Sequence, residues 1–225
     1  MSRRAAKDAL FDALAGAARA LASGRRAEIV DVLTQGERSV EEIAREVGQS
    51  VANTSHHLRT LAQAGLVTTR REGTRIFYRP AGDQVALLWA ALRNAACEHV
   101  AGLDVLAEAY VGDRTEIRAV AREELADLVA RGNVVVIDVR PAAEYAAGHI
   151  AGARSVPPDE VENLLRELPE DHEIVAYCRG PYCVYADDAV RALTRGGRRA
   201  RRLEDGFPEW KRAGLPVATG EVCAS

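Results

Sequence analysis

The chain has 225 residues, a formal net charge of −3, 48% apolar residues and four cysteines. That length accommodates two domains of ordinary size. No apolar run approaches a membrane span and nothing reads as a signal peptide, so the expectation is a cytoplasmic protein without membrane contact, its thiols reduced rather than built into a disulfide framework.

The basic residues are almost all arginine, with lysine at Lys7 and Lys211. Their placement is more informative than their number. Five arginines stand against one acid, Glu72, between Gln49 and Pro80, whereas the second half is acid-rich. Helices are predicted from about Ala5 to Leu21 and from Arg25 to Thr34, separated by Ser23-Gly24. Ser39 opens a third helix with Glu42 three residues on, a capping box, and Gly48 stops it. Ser50 caps a fourth helix whose inward face is read as Val51, Leu58, Leu61 and Ala62. Placing Leu58 inward turns Asn53, His56, Thr60 and Gln63 outward, with His57 and Arg59 on the flanks. Two short helices joined by a tight turn, the second with a polar outer face, form a helix-turn-helix.

Past Gly65, strands are predicted at Leu66–Arg71 and Thr74–Arg79 around Glu72-Gly73. The hairpin carries Arg70, Arg71, Arg75 and Arg79, suited to phosphate contact beside a recognition helix. The run Ser55-His56-His57-Leu58, then Leu61 and Ala64-Gly65-Leu66-Val67, resembles the winged-helix repressors of the ArsR family over roughly residues 10 to 110. The resemblance implies a mainly α winged helix-turn-helix with a β-hairpin wing that binds double-stranded DNA at an inverted-repeat operator. It implies DNA contacts from Asn53, Ser55, His56, His57, Arg59, Thr60, Arg70, Arg71 and Arg75.

Asp83 to Tyr110 reads as one long helix of about 40 Å, with Val85, Leu88, Leu92, Ala96, His99, Leu103, Leu106 and Tyr110 at helical spacing. Its apolar stripe is the expected homodimer seam, which the resemblance also implies. Adjacent helical residues such as His56 and His57 point about 100° apart, so they do not share a metal. The third helix has no cysteine, and Cys97, Glu98, His99 and Asp104 are at unmatched spacing, so neither metal nor other cofactor is expected. Cys97, beside the seam, is a packing residue or a redox thiol.

The domain boundaries expected are 1–111, a linker at 112–116, a second domain at 117–220 and a tail at 221–225. In the second half, strands are predicted near Arg118 and at Val134–Val139, Ile174–Tyr177 and Ala200–Leu203. Helices are predicted at Arg122–Ala130, Asp159–Leu168, Val184–Thr194 and Phe207–Ala213. This alternation means an α/β domain, a mostly parallel sheet with helices on both faces.

Cys178 falls where one strand ends, followed by Arg179-Gly180-Pro181-Tyr182-Cys183 and then a helix. Loop N–H groups and a helix N-terminus favour a thiolate there, and active sites in such sheets lie beyond the strands' carboxyl ends. Three ordered stretches resemble the rhodanese sulfurtransferases. They are Val136-Ile137-Asp138-Val139-Arg140 with Glu144-Tyr145 and Gly148-His149-Ile150-Ala151-Gly152-Ala153, the cysteine loop, and Leu203 to Trp210 with Ala213-Gly214-Leu215-Pro216-Val217. The loop departs from many of them, with Gly180 one position early, Pro181 after it and Cys183 sixth.

The resemblance implies double displacement: Cys178 takes sulfur from a sulfane-sulfur donor as a persulfide and passes it to a thiol acceptor. Arg179 is the candidate for attracting an anionic donor. Asp138, Arg140 and His149 are read as structural. Cys183 is a resolving thiol or a small loop residue, and Cys223 has no assigned role. Val184 stands where a C-x-x-x-x-x-R phosphatase or arsenate reductase has arginine, which excludes that chemistry.

Three functions follow. The leading one is a DNA-binding transcriptional repressor that senses or processes reactive sulfur. The others are a sulfurtransferase whose winged helix serves for dimerisation, and a repressor with a silent, partner-binding tail. The arginine wing weighs against the second and Cys178 against the third.

Overall fold

The computed structural model describes residues 1–220 apart from Asn133, Glu162 and 164–171. The chain divides into two compact units, one ending at Val100 and the other starting at Ala101. The first unit begins with α1 (Arg3–Leu21) and α2 (Gly24–Thr34). A two-residue strand, β1 (Arg38–Ser39), leads into α3 (Val40–Glu46), and Gly48 at φ +60 makes the turn into α4 (Val51–Gln63). The caps lie where their chemistry predicts. Ser39 Oγ accepts from the Glu42 N–H while the Glu42 carboxylate accepts from the Ser39 N–H, and Ser50 Oγ accepts from the Asn53 N–H.

An antiparallel hairpin follows, β2 (Val67–Glu72) and β3 (Arg75–Pro80), in register from Val67–Pro80 to Glu72–Arg75, with β1 on its other edge. Ile29, Val30, Leu33, Ile43, Leu58, Leu61 and Leu66 fill the core between these helices. Burial of each large side chain contributes about 1.5–3 kcal/mol. The covered face of α4 runs Thr54, Leu58 and Leu61, a change from the predicted face. Val51 is 45% exposed because the covered part of the helix starts one turn in, at Thr54, and Ala62 is exposed because it points about 100° round the helix from Leu61.

The long helix expected over 83–110 is two helices, α5 (Asp83–His99) and α6 (Leu103–Val111). Val100 takes extended angles, and Gly102 sits at φ +80, the left-handed region that ends a helix and that glycine adopts without steric penalty. The division between the two units falls at this break, ahead of the segment 112–116 expected as a linker. Trp89 on α5 donates its indole N–H to Asp31 Oδ1 at 2.6 Å, tying α5 to α2.

The second unit holds a five-stranded sheet among the described residues, with every pairing parallel. Its strands are β4 (Ala119–Val120), β5 (Val134–Asp138), β7 (Arg154–Ser155), β8 (Glu173–Tyr177) and β9 (Ala200–Leu203), in the order β4-β9-β8-β5-β7. Helices α7 (Arg122–Arg131), α8 (Ala142–Ala147), α9 (Val184–Arg195) and α10 (Phe207–Arg212) connect them, and β6 (His149–Ile150) pairs with β10 (Val217–Ala218). The pleat sends alternate residues to opposite faces. Ile174 and Ala176 join Ile137, Ala189 and Leu193 in one core, while Val175 and Tyr177 join Val136, Leu125 and Trp210 in the other. A sheet buried on both faces explains the unbroken apolar runs of β5 and β8. The helix predicted over Asp159–Leu168 lies largely outside the described residues; its described part is a 3-10 turn at Pro158–Glu160 and helical Val161 and Asn163.

Candidate functional site

Cys178 leaves the carboxyl end of β8, 1% exposed, and the loop that follows returns to Cys183, which caps α9. The return brings the two Cα atoms to 6.1 Å, within the range that a disulfide spans, and Cys178 and Cys183 are joined by one. This corrects the expectation of reduced thiols. The cysteines form a local bridge across five residues, not a framework. The Cys178 carbonyl accepts from the Phe207 N–H at 3.0 Å, and the Cys183 N–H donates to the Gly180 carbonyl at 3.1 Å.

Under the loop lies a buried polar network. Arg140 and Asp138, both 0% exposed, pair side-on with Nη2–Oδ2 at 2.6 Å and Nε–Oδ1 at 2.9 Å. Tyr177 donates to Asp138 Oδ2 at 2.5 Å and accepts from the Ile150 N–H at 3.0 Å. Burial, then the Asp138 charge, pushes the Tyr177 phenol well above its ordinary value and keeps it a donor. The Arg140 guanidinium stacks 4.3 Å over Phe207. His149 lies flat on Tyr145 with its Nδ1 2.9 Å from the Tyr145 carbonyl. These contacts join strand ends to turns, as the structural reading of Asp138, Arg140 and His149 requires.

Arg179 has a partner that sequence reading did not assign. Its guanidinium grips the buried Glu144 carboxylate, Nη2–Oε1 at 2.5 Å and Nε–Oε2 at 3.1 Å. On another side, Arg114 and Arg202 converge on one carboxylate, Asp187, at 2.6 and 3.2 Å, and both donate to the Pro181 carbonyl. Burial, then the adjacent Arg114, holds the Arg202 guanidinium below its ordinary value. Glu144 stands in a motif quoted above. Arg114 and Asp187 carry no local signal, being 73 residues apart.

On the first unit, α4 presents Asn53, His56 and Arg59 to solvent, with Ser55, His57 and Thr60 half-buried. Thr60 Oγ1 donates to the His56 carbonyl and Arg59 Nε to the Ser55 carbonyl. Burial, then the charge of Arg26, holds the His57 imidazole below its ordinary value, so its neutral form is favoured. The hairpin exposes Arg71, Arg75 and Arg79. Arg70 differs: it pairs with Glu37 at 2.7 Å and Glu72 at 2.6 Å and lies over Phe77. Cys97 is exposed on α5 and outside the disulfide, and Cys223 lies outside the described residues.

Two family profiles match the chain: the arsR family of bacterial regulatory proteins over residues 23–69 and the rhodanese-like domain over residues 121–213. The HTH-type transcriptional regulator Rv0324 of Mycobacterium tuberculosis is 48% identical over 214 residues, 95% of this chain and 94% of that protein. A sulfurtransferase of Allochromatium vinosum is 33% identical over 89 residues, 40% of this chain and 82% of that protein. The solution structure of a homodimeric winged helix-turn-helix DNA-binding domain from Mycobacterium bovis shares 48% identity. It covers 44% of this chain and 91% of that one at a TM-score of 0.42. Among the described residues no helix is long and apolar enough to cross a membrane.

Proposed function

We propose a sulfur-responsive repressor, on the premise that this chain belongs to the ArsR family of transcriptional regulators and carries a rhodanese-like domain. The observation that carries the reading is the Cys178–Cys183 disulfide at the strand-to-helix loop. A second cysteine within bonding reach makes the loop a two-thiol device.

In its reduced form, the Cys178 thiolate attacks the outer sulfur of a polysulfide or low-molecular-weight persulfide. The donor's S–S bond breaks, the rest of the donor leaves as a thiolate or as a polysulfide one sulfur shorter, and Cys178 holds the sulfane sulfur. The Cys183 thiolate then attacks Cys178 Sγ, forms the disulfide and expels hydrosulfide. The sulfane sulfur is reduced to sulfide as the two cysteines lose two electrons, and a cellular thiol reduces the disulfide again. With Cys183 absent, the persulfide passes instead to an acceptor thiol.

The DNA-binding half acts as a homodimer. Leu88 and Leu92 on α5 are 44% and 46% exposed, and Leu10, Phe11 and Leu14 on α1 are 57%, 59% and 61% exposed. Apolar surface on both helices supports a symmetric interface. Asn53 and His56 of α4 read bases of an inverted repeat while the wing arginines contact phosphates. Sulfur loading shifts the dimer toward a geometry that fits the operator less well. A tenfold loss needs only about 1.4 kcal/mol between the two states. A relay of sulfur from Cys178 to the exposed Cys97 is one route.

The test is mass spectrometry of polysulfide-treated protein together with operator titration. Native protein releases sulfide and ends as the disulfide, with weaker operator binding that a reductant restores. Cys183→Ser accumulates the persulfide, and Cys178→Ser does neither. Reduced native protein that releases no sulfide, forms no Cys178–Cys183 disulfide and binds its operator equally before and after treatment overturns the reading.

A further inference from the structure

Arg114 belongs to none of the motifs assigned to either half of the sequence, yet it closes on the cysteine loop at two points. Its Nη1 donates to the Pro181 carbonyl at 2.7 Å, and its Nε and Nη2 meet Asp187 Oδ2 at 2.7 and 2.6 Å. Arg202 of β9 reaches the same two residues at 3.3 and 3.2 Å. The segment that carries Arg114 is itself held. Arg191 of α9 donates to the Asp113 carbonyl at 2.8 Å, and the Thr115 N–H donates to Asp113 Oδ1 at 2.8 Å.

The two acceptors flank Cys183. Pro181 lies within the bridge between the cysteines, and Asp187, 0% exposed, lies in the first turn of α9 beyond Cys183. A proline ring sets its own φ but leaves the direction of its carbonyl open. A side chain that grips both groups therefore fixes how the loop arches and where Cys183 stands relative to Cys178. Without that grip the loop samples more conformations, and the effective concentration of one sulfur at the other falls.

We propose that Arg114 is a positioning residue for the cysteine pair: by holding the Pro181 carbonyl and Asp187 together it favours the Cys178–Cys183 disulfide over the dithiol. This rests on reading the two cysteines as a redox pair. It also gives the segment following α6 a physical stake in the state of the loop, since Arg114 is bound to the bridge itself.

The experiment equilibrates full-length native protein, Arg114→Met and Arg114→Lys in glutathione buffers and counts free thiols after alkylation. The reaction is balanced: the protein disulfide and two glutathione thiols give two cysteine thiols and one glutathione disulfide. Arg114→Met is expected to lower the equilibrium constant for the disulfide about tenfold, or about 30 mV. Arg114→Lys, which keeps a positive charge beside Asp187 but cannot also hold the Pro181 carbonyl, falls between. Arg114→Met at the native equilibrium, with native unfolding in urea, overturns the proposal. If Arg114→Met does not fold, Arg114→Lys is read by the same criterion, and a native equilibrium for it overturns the proposal equally. Native protein that stays a dithiol in fully oxidising buffer is a different result, and it removes the redox-pair reading on which the proposal stands.

Discussion

Arg179 and Glu144 form a forked ion pair across 35 residues of sequence, with Nη2 2.5 Å from Oε1 and Nε 3.0 Å from the same oxygen. The carboxylate is 1% exposed and the guanidinium 14%. A charge so engaged is a fastening between the cysteine loop and α8 more than a lure for an anionic donor. Arg179→Ala should therefore cost about 3 kcal/mol of stability, at the low end for buried pairs because part of Arg179 meets solvent. Its KM for polysulfide should stay within about twofold of native. Urea unfolding and steady-state kinetics separate the two effects. A tenfold rise in KM at native stability would return Arg179 to the role of donor binder.

The loop is packed as tightly on its other side. A Cβ added at Gly206 would stand 2.4 Å from the carbonyl carbon and oxygen of Arg179 and from the Gly180 nitrogen. All three are backbone atoms, so the chain itself must move. Gly206 has no positive φ, so the requirement is close approach and not conformational freedom. Gly206→Ala should cost about 1–3 kcal/mol. It should also change the alkylation rate of reduced Cys178, whose carbonyl bonds the neighbouring Phe207 N–H. Native melting together with a native alkylation rate would refute this account.

On the wing, the arginines should divide into two groups. Arg71 and Arg75 are exposed and join no ion pair among the described residues, whereas Arg70 is shared between Glu37 and Glu72. Arg75→Ala should weaken binding to every DNA sequence and lower the slope of log K against log salt by about 1. Arg70→Ala should change that slope less, since its charge is already offset within the protein. Anisotropy titrations across a salt series decide it, and equal slope changes for the two variants would contradict the division.

Local chemistry made much of this legible. Ser39 with Glu42, and Ser50 ahead of a polar helix face, are capping signals read within four residues. Glu72-Gly73 announces its hairpin, and the strand at Ala200–Leu203 has the bounds expected of it. Gly102 carries a signal of the same local kind, a glycine inside a helical pattern, which the expectation of one long helix over 83–110 does not use.

By itself, then, the sequence determined the two-part architecture, the cysteine at a strand end and the polar face of the fourth helix, because each rests on a short-range pattern of period, cap or turn. Tertiary structure alone decided which charges are engaged and which thiols meet. Arg179 found Glu144, Arg114 found Asp187 across 73 residues, and Cys183 came back to Cys178. Partners that far apart, or joined by the arch of an irregular loop, share no period along the chain. Their pairing depends on how helices and strands pack, and on burial, which makes an ion pair or a braced carbonyl matter where solvent would screen it.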